Sequence, residues 1–146
     1  MPAKEPRPGN HFRLNLGGHE SVGRFRECTG LDSETDVIEQ KAVDENGLPI
    51  VRKVPGATKW SNIQLKRGVD ENLNLWKWRD DVIKKGPDNV RVDGTIELID
   101  YTGSTIATYA FKQGWPIKYV GATLNANNNE VALEELHICH EGMERQ

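Results

Sequence analysis

The residues closest to a metal-ligating set stand near the end of the chain, in the run His137-Ile138-Cys139-His140. Histidine and cysteine are preferred ligands of zinc. The run alternates like a strand, on which His137 and Cys139 share one face while His140 points to the opposite face. The three side chains therefore cannot converge locally on one ion, and the sequence predicts neither a metal site nor a bound cofactor.

Two pairs of adjacent acidic residues, Asp80-Asp81 and Glu134-Glu135, are the candidates for general acid–base chemistry. Such a pair works only when both carboxyls reach one reacting group. On a strand Glu134 and Glu135 point to opposite faces, and the other pair falls on a helix where both carboxylates are solvated. The chain also lacks a G-x-S-x-G motif and a recognised cysteine-nucleophile motif. We therefore predict no catalytic residue, and a protein that is not an enzyme.

A basic stretch with one aromatic residue, VPGATKWSNIQLKRG at 54–68, carries two lysines, an arginine and a tryptophan. Single-stranded nucleic acids bind surfaces that combine basic groups with aromatic stacking platforms. Trp60 is the one aromatic residue in the stretch, and the whole chain carries a net charge of −3, whereas nucleic-acid binders usually carry an excess of basic residues. A monomeric β-barrel that binds nucleic acid is therefore kept as the alternative to a structural protein.

The length of 146 residues fits one domain. We predict its bounds as 11–146, after a flexible arm rich in proline and charge over residues 1–10. Cys28 and Cys139 form no C-x-x-C motif, and a disulfide between them is neither required nor excluded, because pairing depends on distance in the fold. Apolar runs nowhere approach about 18 residues, and the start lacks the apolar segment of a signal peptide. We therefore predict no insertion of the chain into a membrane.

Alternation of apolar and polar residues predicts strands before the one helix of the chain. The first strand covers 12–16 and the second 22–28, and a hairpin over 34–54 turns at Asn46-Gly47. Pro55-Gly56 is predicted to turn the chain once more into a following strand. The hairpin carries few large apolar residues for its length, so one domain cannot bury much of it.

The predicted helix covers 71–85, with Asp70 as its N-cap and Gly86 after its last turn. After it, strands are predicted over 90–100, 105–121 with a bend or a sheet edge at Pro116, and 130–140. The last of these shifts its apolar residues from one face to the other, which predicts a β-bulge or a bend. About eight short strands around one helix indicate a mainly β fold, an antiparallel sandwich or barrel-like domain.

Three ordered motifs carry a resemblance to a known family. The first is F-x-E-x-(S/T)-G-L at 25–31, the second is K-x-P-G-x-x-K at 53–59, and the third is L-K-R-G-V at 65–69 followed by L-W-x-W at 75–78. With the matching segments around them they cover nearly the whole chain after residue 11. The chain resembles the tail-tube proteins of contractile phage tails and of phage-tail-like contractile injection systems.

The resemblance implies an inner-tube subunit with a compact β-sandwich and one helix, similar also to the ring-forming tube proteins of type VI secretion. In that family six subunits form a ring, and rings stack into a hollow tube that a contracting sheath drives through a target envelope. The implied partners are other copies of the chain, the sheath protein, baseplate or hub and tail-terminator proteins, and cargo in the lumen. The cargo is DNA in a phage and protein effectors in an injection system, two cases that the sequence does not separate.

The same resemblance implies that the subunit assembles in the bacterial cytoplasm and ends in a virion tail or in an injection particle, whether extracellular, cytoplasmic or membrane-anchored. Open sheet edges invite pairing between chains, and six subunits can close their sheets into one shared barrel, which removes the edges. We therefore predict that the hairpin and its flanks serve contacts between subunits or between rings. The predicted interface residues are Asp44, Glu45, Asn46, Gly47, Leu48, Arg52, Lys53 and Lys59.

A second predicted set consists of apolar residues that pack the helix on the sheet. Its members are Ile63, Leu65, Leu75, Trp76, Val82 and Ile83. On the strand that holds Ile63 and Leu65, the alternate residues Asn62, Gln64 and Lys66 are expected to face the lumen or a neighbouring subunit.

Overall fold

The structure is a computed structural model that describes residues 10–17, 21–69, 73–122 and 132–146. These residues divide into two compact units. The larger unit is formed by the residues up to Leu31 together with those from Asn62 onward, and the smaller unit by Asp32–Ser61. Residues 1–9 of the predicted arm and the predicted N-cap Asp70 lie outside the described residues. The bounds of a single domain over 11–146 stay a prediction.

The described residues form ten strands, one α-helix and one short 3-10 helix, so the predicted mainly β fold with one α-helix is confirmed. The strands are β1 (His11–Leu16), β2 (Ser21–Phe25), β3 (Glu27–Thr29), β4 (Ser33–Val43), β5 (Pro49–Trp60), β6 (Ile63–Gly68), β7 (Val92–Ile99), β8 (Thr105–Val120), β9 (Leu133–Cys139) and β10 (Gly142–Arg145), and the helices are α1 (Asn74–Lys85) and the 3-10 helix (Pro87–Asn89).

The larger unit contains an eight-stranded antiparallel sheet with the order β2-β1-β7-β8-β9-β6-β3, and β10 pairs with the first half of β8 on the edge opposite β7. The first half of β8 pairs with β7 and its second half pairs with β9. Strand β8 therefore joins two halves of the sheet. Because β2 also contacts β6 from the other half, the two halves close over one shared core.

The long strand β8 differs from the sequence prediction, which placed a bend or a sheet edge at Pro116. The chain runs as one strand of 16 residues through Pro116, and its backbone changes direction earlier, at Gln113, where φ is 54°. A register shift against β9 follows between Pro116 and Lys118. A bulge of this kind tolerates proline because the residue without an N–H leaves the ladder there.

The predicted second strand, 22–28, is in fact two strands, β2 and β3, which pair with different neighbours. Arg26 separates them, and its backbone N–H donates to the carbonyl of Lys66 at 3.0 Å. Beyond β3, Gly30 has a φ of 86°, and a Cβ at this position would overlap the carbonyl oxygen of Asn62. The residue at 30 must therefore be glycine both for its backbone angle and for lack of space.

Gly30→Ala is expected to lower the free energy of unfolding by about 2–3 kcal/mol, because the positive φ and the overlap with Asn62 each cost stability. The matched control is Gly103→Ala, since Gly103 has a φ of 90° but open space where the Cβ would stand. The control should cost only about 1–2 kcal/mol. Urea unfolding followed by fluorescence measures both variants, and equal losses would show that the close approach to Asn62 is relieved without cost.

The core of the larger unit lies between the two halves of the sheet and includes the buried residues of α1. Of the six residues predicted to pack there, Ile63, Leu65, Leu75 and Val82 are buried. Full burial of such a side chain contributes about 1.5–3 kcal/mol. The other buried residues of this core are Leu14, Leu16, Phe25, Trp78, Val90, Ile96, Phe111, Leu136 and Ile138.

The prediction was wrong for the other two residues, Trp76 and Ile83, which are 53% and 67% exposed. The helix buries a stripe formed by Leu75, Trp78 and Val82. Each residue turns a helix by about 100°, so Trp76 and Ile83 follow Leu75 and Val82 onto the flank of that stripe. Trp78, which the sequence analysis did not place in the core, is the tryptophan that α1 buries.

Helix α1 begins at Asn74, and residues 71–72 of the predicted helix lie outside the described residues. Leu73 precedes its first turn and provides no side-chain cap, and the end matches the prediction, with Lys84 and Lys85 in the last turn. The N–H of Gly86 donates to the carbonyl of Val82 at 3.0 Å. Pro87 then starts the 3-10 helix, because its ring cannot continue an α-helix.

On β9 the apolar residues change from one face to the other for a reason other than the predicted bulge or bend. Strand β9 pairs with β6 in one continuous register from Leu133 to Ile138. The inward position between the two apolar phases is held by Glu134, which is 5% exposed and lies opposite Arg67, 4% exposed. A buried ion pair thus stands where two apolar side chains would be expected. The alternation of apolar residues in the sequence is therefore interrupted at Glu134, although the backbone of β9 continues without a bulge against β6.

The smaller unit is the predicted hairpin, formed by β4 and β5 in antiparallel register. Its second strand continues through Pro55-Gly56 to Trp60, so the predicted turn at this dipeptide is wrong. A register shift opposite, between Thr35 and Val37, accommodates the two residues. In a hairpin of two strands each strand is an edge, where proline is tolerated because its missing N–H is not needed by a neighbour.

Candidate functional site

The loop at the end of the hairpin is built by one carboxylate. Asp44 accepts hydrogen bonds at its Oδ1 from the N–H groups of Asn46 and Leu48, at 2.9 and 2.8 Å. Its backbone also bonds to Leu48 and to Gly47, which has a φ of 78°. An aspartate side chain bonded to its own following backbone fixes a turn. The loop therefore has a defined shape, and it presents Glu45 and Leu48 to solvent.

Both faces of the hairpin are exposed and both carry apolar side chains. Cross-strand pairing places Val37, Val43 and Val51 on one face and Ile38 and Ile50 on the other. They are between 38% and 65% exposed. Two strands alone are marginally stable in water, and exposed apolar patches of this kind mark contact sites. The hairpin is therefore a surface that further copies or partners can cover.

The three predicted interface cations differ in their surroundings. Lys59 lies 3.3 Å from Asp36 through Nζ and Oδ2, and Lys53 stands across from Glu39. Arg52 stands across from the neutral Gln40. Since Lys59 and Lys53 have a carboxylate on the opposite strand and Arg52 has an amide, Arg52 is the cation best placed to meet an acidic group of another chain.

A second exposed surface lies between α1 and the second half of β8. We call it the helix groove, with a cavity volume of about 270 Å³ and a lining of Trp76, Arg79, Asp80, Ile83, Ile117, Lys118 and Tyr119. The ring of Trp76 meets that of Tyr119 edge-on, with centroids 5.3 Å apart. Arg79 Nη1 donates to the carbonyl of Pro116 at 3.3 Å, which holds the helix against the strand.

A buried polar network lies next to the helix groove and was not foreseen from the sequence. Arg67 Nε donates to Glu134 Oε1 at 2.5 Å, and the hydroxyl of Tyr119 donates to Glu134 Oε2 at 2.5 Å. The guanidinium of Arg67 also stands 5.6 Å from the centre of the Phe25 ring. Burial and the hydrogen bond to Glu134 raise the pKa of Tyr119 to about 12. The network therefore fixes Tyr119, one wall of the groove, as a neutral donor at all ordinary pH values.

The residues weighed for metal or nucleophilic chemistry are held by other contacts. His137 Nε2 is 3.4 Å from Glu135, and His140 Nδ1 accepts from the N–H of Gly142 at 3.2 Å. Within the described residues no group of three or more potential ligands could hold a metal ion. Cys28 and Cys139 are unpaired and half-buried, and burial raises the pKa of Cys28 to about 12 and also raises that of Cys139. A protonated, half-buried thiol is a poor nucleophile.

The residues of the basic stretch are divided between two strands. Trp60 ends β5 and Lys66 belongs to β6, so no single strand carries both the aromatic residue and this lysine. Lys66 Nζ lies 4.0 Å from Glu27 and 3.9 Å from Glu135. Gln64 and Lys66 are half-buried and Asn62 is exposed. Whether these three residues face a lumen or a neighbour stays a prediction.

No helix in the described ranges has both the length and the apolar composition needed to span a membrane.

The chain matches the family model described as T4-like virus tail tube protein gp19 over residues 8–144. Among curated proteins none matches it.

Several solved structures are similar to the chain. One comes from the PVC sheath–tube complex of an extracellular contractile injection system in the extended state, with 25% identity, a TM-score of 0.76, and coverage of 99% of this chain and 93% of that one. Another comes from the anti-feeding prophage cap, with 24% identity, a TM-score of 0.71, and coverage of 100% and 94%. Hcp1 from Flavobacterium johnsoniae shares the fold at 15% identity and a TM-score of 0.54, covering 92% and 94%.

Proposed function

Since the chain belongs to the T4-like virus tail tube protein gp19 family and is a structural tube subunit, we propose that six copies close into a ring. Rings then stack into a hollow tube. The predicted tail-tube resemblance is confirmed by the family match. The number six and the stacking of rings rest on the family resemblance and on the open surfaces of the chain.

One observation carries this proposal: the hairpin of β4 and β5 exposes apolar residues on both faces. A folded chain that stayed a monomer would leave these side chains in water, where burial of each would otherwise contribute about 1.5–3 kcal/mol. Contacts between copies bury them. Every copy carries the same hairpin and the same surface that would contact it. If the hairpin of one copy contacts a different surface of the next copy, the contact repeats either around a ring or along a stack.

The tube works with further proteins in this proposal. The PVC neighbour comes from a sheath–tube complex, and other similar chains come from a tube-terminating cap, a sheath and tube terminator, and a baseplate. We therefore propose that a sheath surrounds the tube formed by this chain, that a terminator protein binds one end of the tube, and that a baseplate binds the other end. The lumen holds cargo, either DNA or protein effectors, and the subunit itself catalyses no reaction. Assembly takes place in the bacterial cytoplasm.

Electron microscopy of the purified chain at high concentration tests the proposal. Rings with six-fold symmetry, or hollow tubes of uniform width, are the expected result. Analytical ultracentrifugation of the same sample should give a species of six chains or larger. A folded chain that sedimented as a monomer at all concentrations, also with its sheath and baseplate partners present, would refute the assembly.

A further inference from the structure

The helix groove is an apolar surface that the folded chain leaves open to water. Its two walls are Trp76 and Ile83 from α1, 53% and 67% exposed, and Tyr119 from β8. Tyr119 is fixed by its hydrogen bond to buried Glu134, and Arg79 fixes the helix to β8. A groove with walls held in place can accept an apolar side chain at little cost in conformational entropy.

The charges around the helix groove are predominantly positive. Arg79 and Lys118 both line it, and Asp80, the one acidic residue of the lining, lies 2.7 Å from Lys84 through Oδ2 and Nζ. The negative charge of Asp80 is thus balanced by a lysine of its own helix. A segment that combines an exposed apolar side chain with carboxylates would complement both the walls and the charge.

The hairpin tip, Asp44–Leu48, has that composition. It carries Asp44 and Glu45, and Leu48 is 60% exposed while the neighbouring Val43 is 65% exposed. The two hydrogen bonds to Asp44 Oδ1 hold the loop in one shape. The side chain of Leu48 and the carboxylate of Glu45 are therefore presented together from a preorganised turn.

We propose that the hairpin tip of one copy docks into the helix groove of a neighbouring copy, with Leu48 against Trp76 and Ile83, and Glu45 beside Lys118. This contact rests on the proposed tube function and specifies which two surfaces of the subunit meet. The two patches are different, so the contact is heterologous, and each copy has one tip and one groove to offer. Such a contact continues from copy to copy until it closes a ring or extends a stack.

A disulfide between copies tests the contact directly. In the double variant Leu48→Cys with Ile83→Cys, mild oxidation of assembled protein should give a ladder of covalent multimers on a non-reducing gel, because docking brings the two positions within bonding distance. Each single variant, which keeps the native Cys28 and Cys139, should give no ladder. Rings or tubes without a ladder, or a disulfide formed within one chain, would overturn the docking and leave the tube function standing.

An exchange of charges gives the second test and decides the case if the cysteine pair does not assemble. Glu45→Lys and Lys118→Glu should each lower the assembled fraction at least about tenfold, as like charges then meet, and the double variant should recover it. Lys118→Arg, which keeps the positive charge of the groove, is the matched control and should assemble as the native chain does. Failure of the double variant to recover would overturn the docking, whereas absence of rings from the native chain would refute the proposed function itself.

Discussion

Glu134→Ala is expected to lower the free energy of unfolding by about 3–5 kcal/mol, because it removes the carboxylate that pairs with the buried guanidinium of Arg67. Both side chains are more than nine-tenths buried and lie 2.5 Å apart. Tyr119 loses its hydrogen-bond acceptor in the same variant. Urea unfolding at neutral pH measures the change, which is large against the 5–15 kcal/mol that an ordinary domain possesses.

The matched control is Glu135→Ala, one residue further on the same strand. Glu135 faces outward, where Lys66 lies 3.9 Å away, and a pair in that setting contributes about 0–1 kcal/mol. A double variant, Arg67→Met with Glu134→Leu, should recover most of the stability, since replacing a whole buried pair by apolar side chains of similar size is often neutral. Similar losses for Glu134→Ala and Glu135→Ala would mean that water reaches the pair.

Arg52→Glu is expected to shorten the tubes at least about tenfold while the free energy of unfolding changes by less than about 0.5 kcal/mol. Arg52 is exposed and stands across from Gln40, so its reversal breaks no ion pair with the opposite strand. In the proposed contact between copies, however, the glutamate at position 52 faces acidic groups of the neighbouring copy, and like charges in contact cost several kcal/mol. Tube lengths from electron micrographs and urea unfolding of the same preparation give the two values.

Arg52→Lys serves as the control, because it keeps the charge and nearly the length of the side chain. Tubes of native length are expected from it. If Arg52→Glu also gave tubes of native length, the hairpin would have no part in stacking through this residue. If instead it unfolded the chain, the hairpin would be stabilised by contacts within the subunit that the exposure of Arg52 does not indicate.

The sequence by itself predicted the elements whose signals are local. The hairpin follows from alternation on both sides of Asn46-Gly47, and the end of α1 follows from two lysines, Gly86 and Pro87. Both depend on residues close together in the chain, so tertiary contacts do not alter them. The family also followed from the sequence, because its three motifs occur in order.

Other features depended on strands that meet only in the folded chain. Arg67 and Glu134 are far apart in sequence, and adjacent strands β6 and β9 bring them into register. In the sequence, the charged residue Glu134 at an inward position looks like a break in the alternation of apolar residues. That break led to the prediction of a bulge or a bend in β9. In the same way, the sequence around Pro116 reads as two segments, whereas the chain continues as one strand, β8, whose two halves pair with different neighbours, β7 and β9.

Composition and periodicity of this chain thus determined a β-rich subunit with one helix and a hairpin too polar to bury itself. The tertiary structure decided which tryptophan α1 buries, Trp78 rather than Trp76, and which charges the core accepts. The physical reason is that a periodic pattern gives the direction of a side chain relative to its own helix or strand. What lies in that direction, an apolar core, a partner charge or water, is set by elements distant in the sequence.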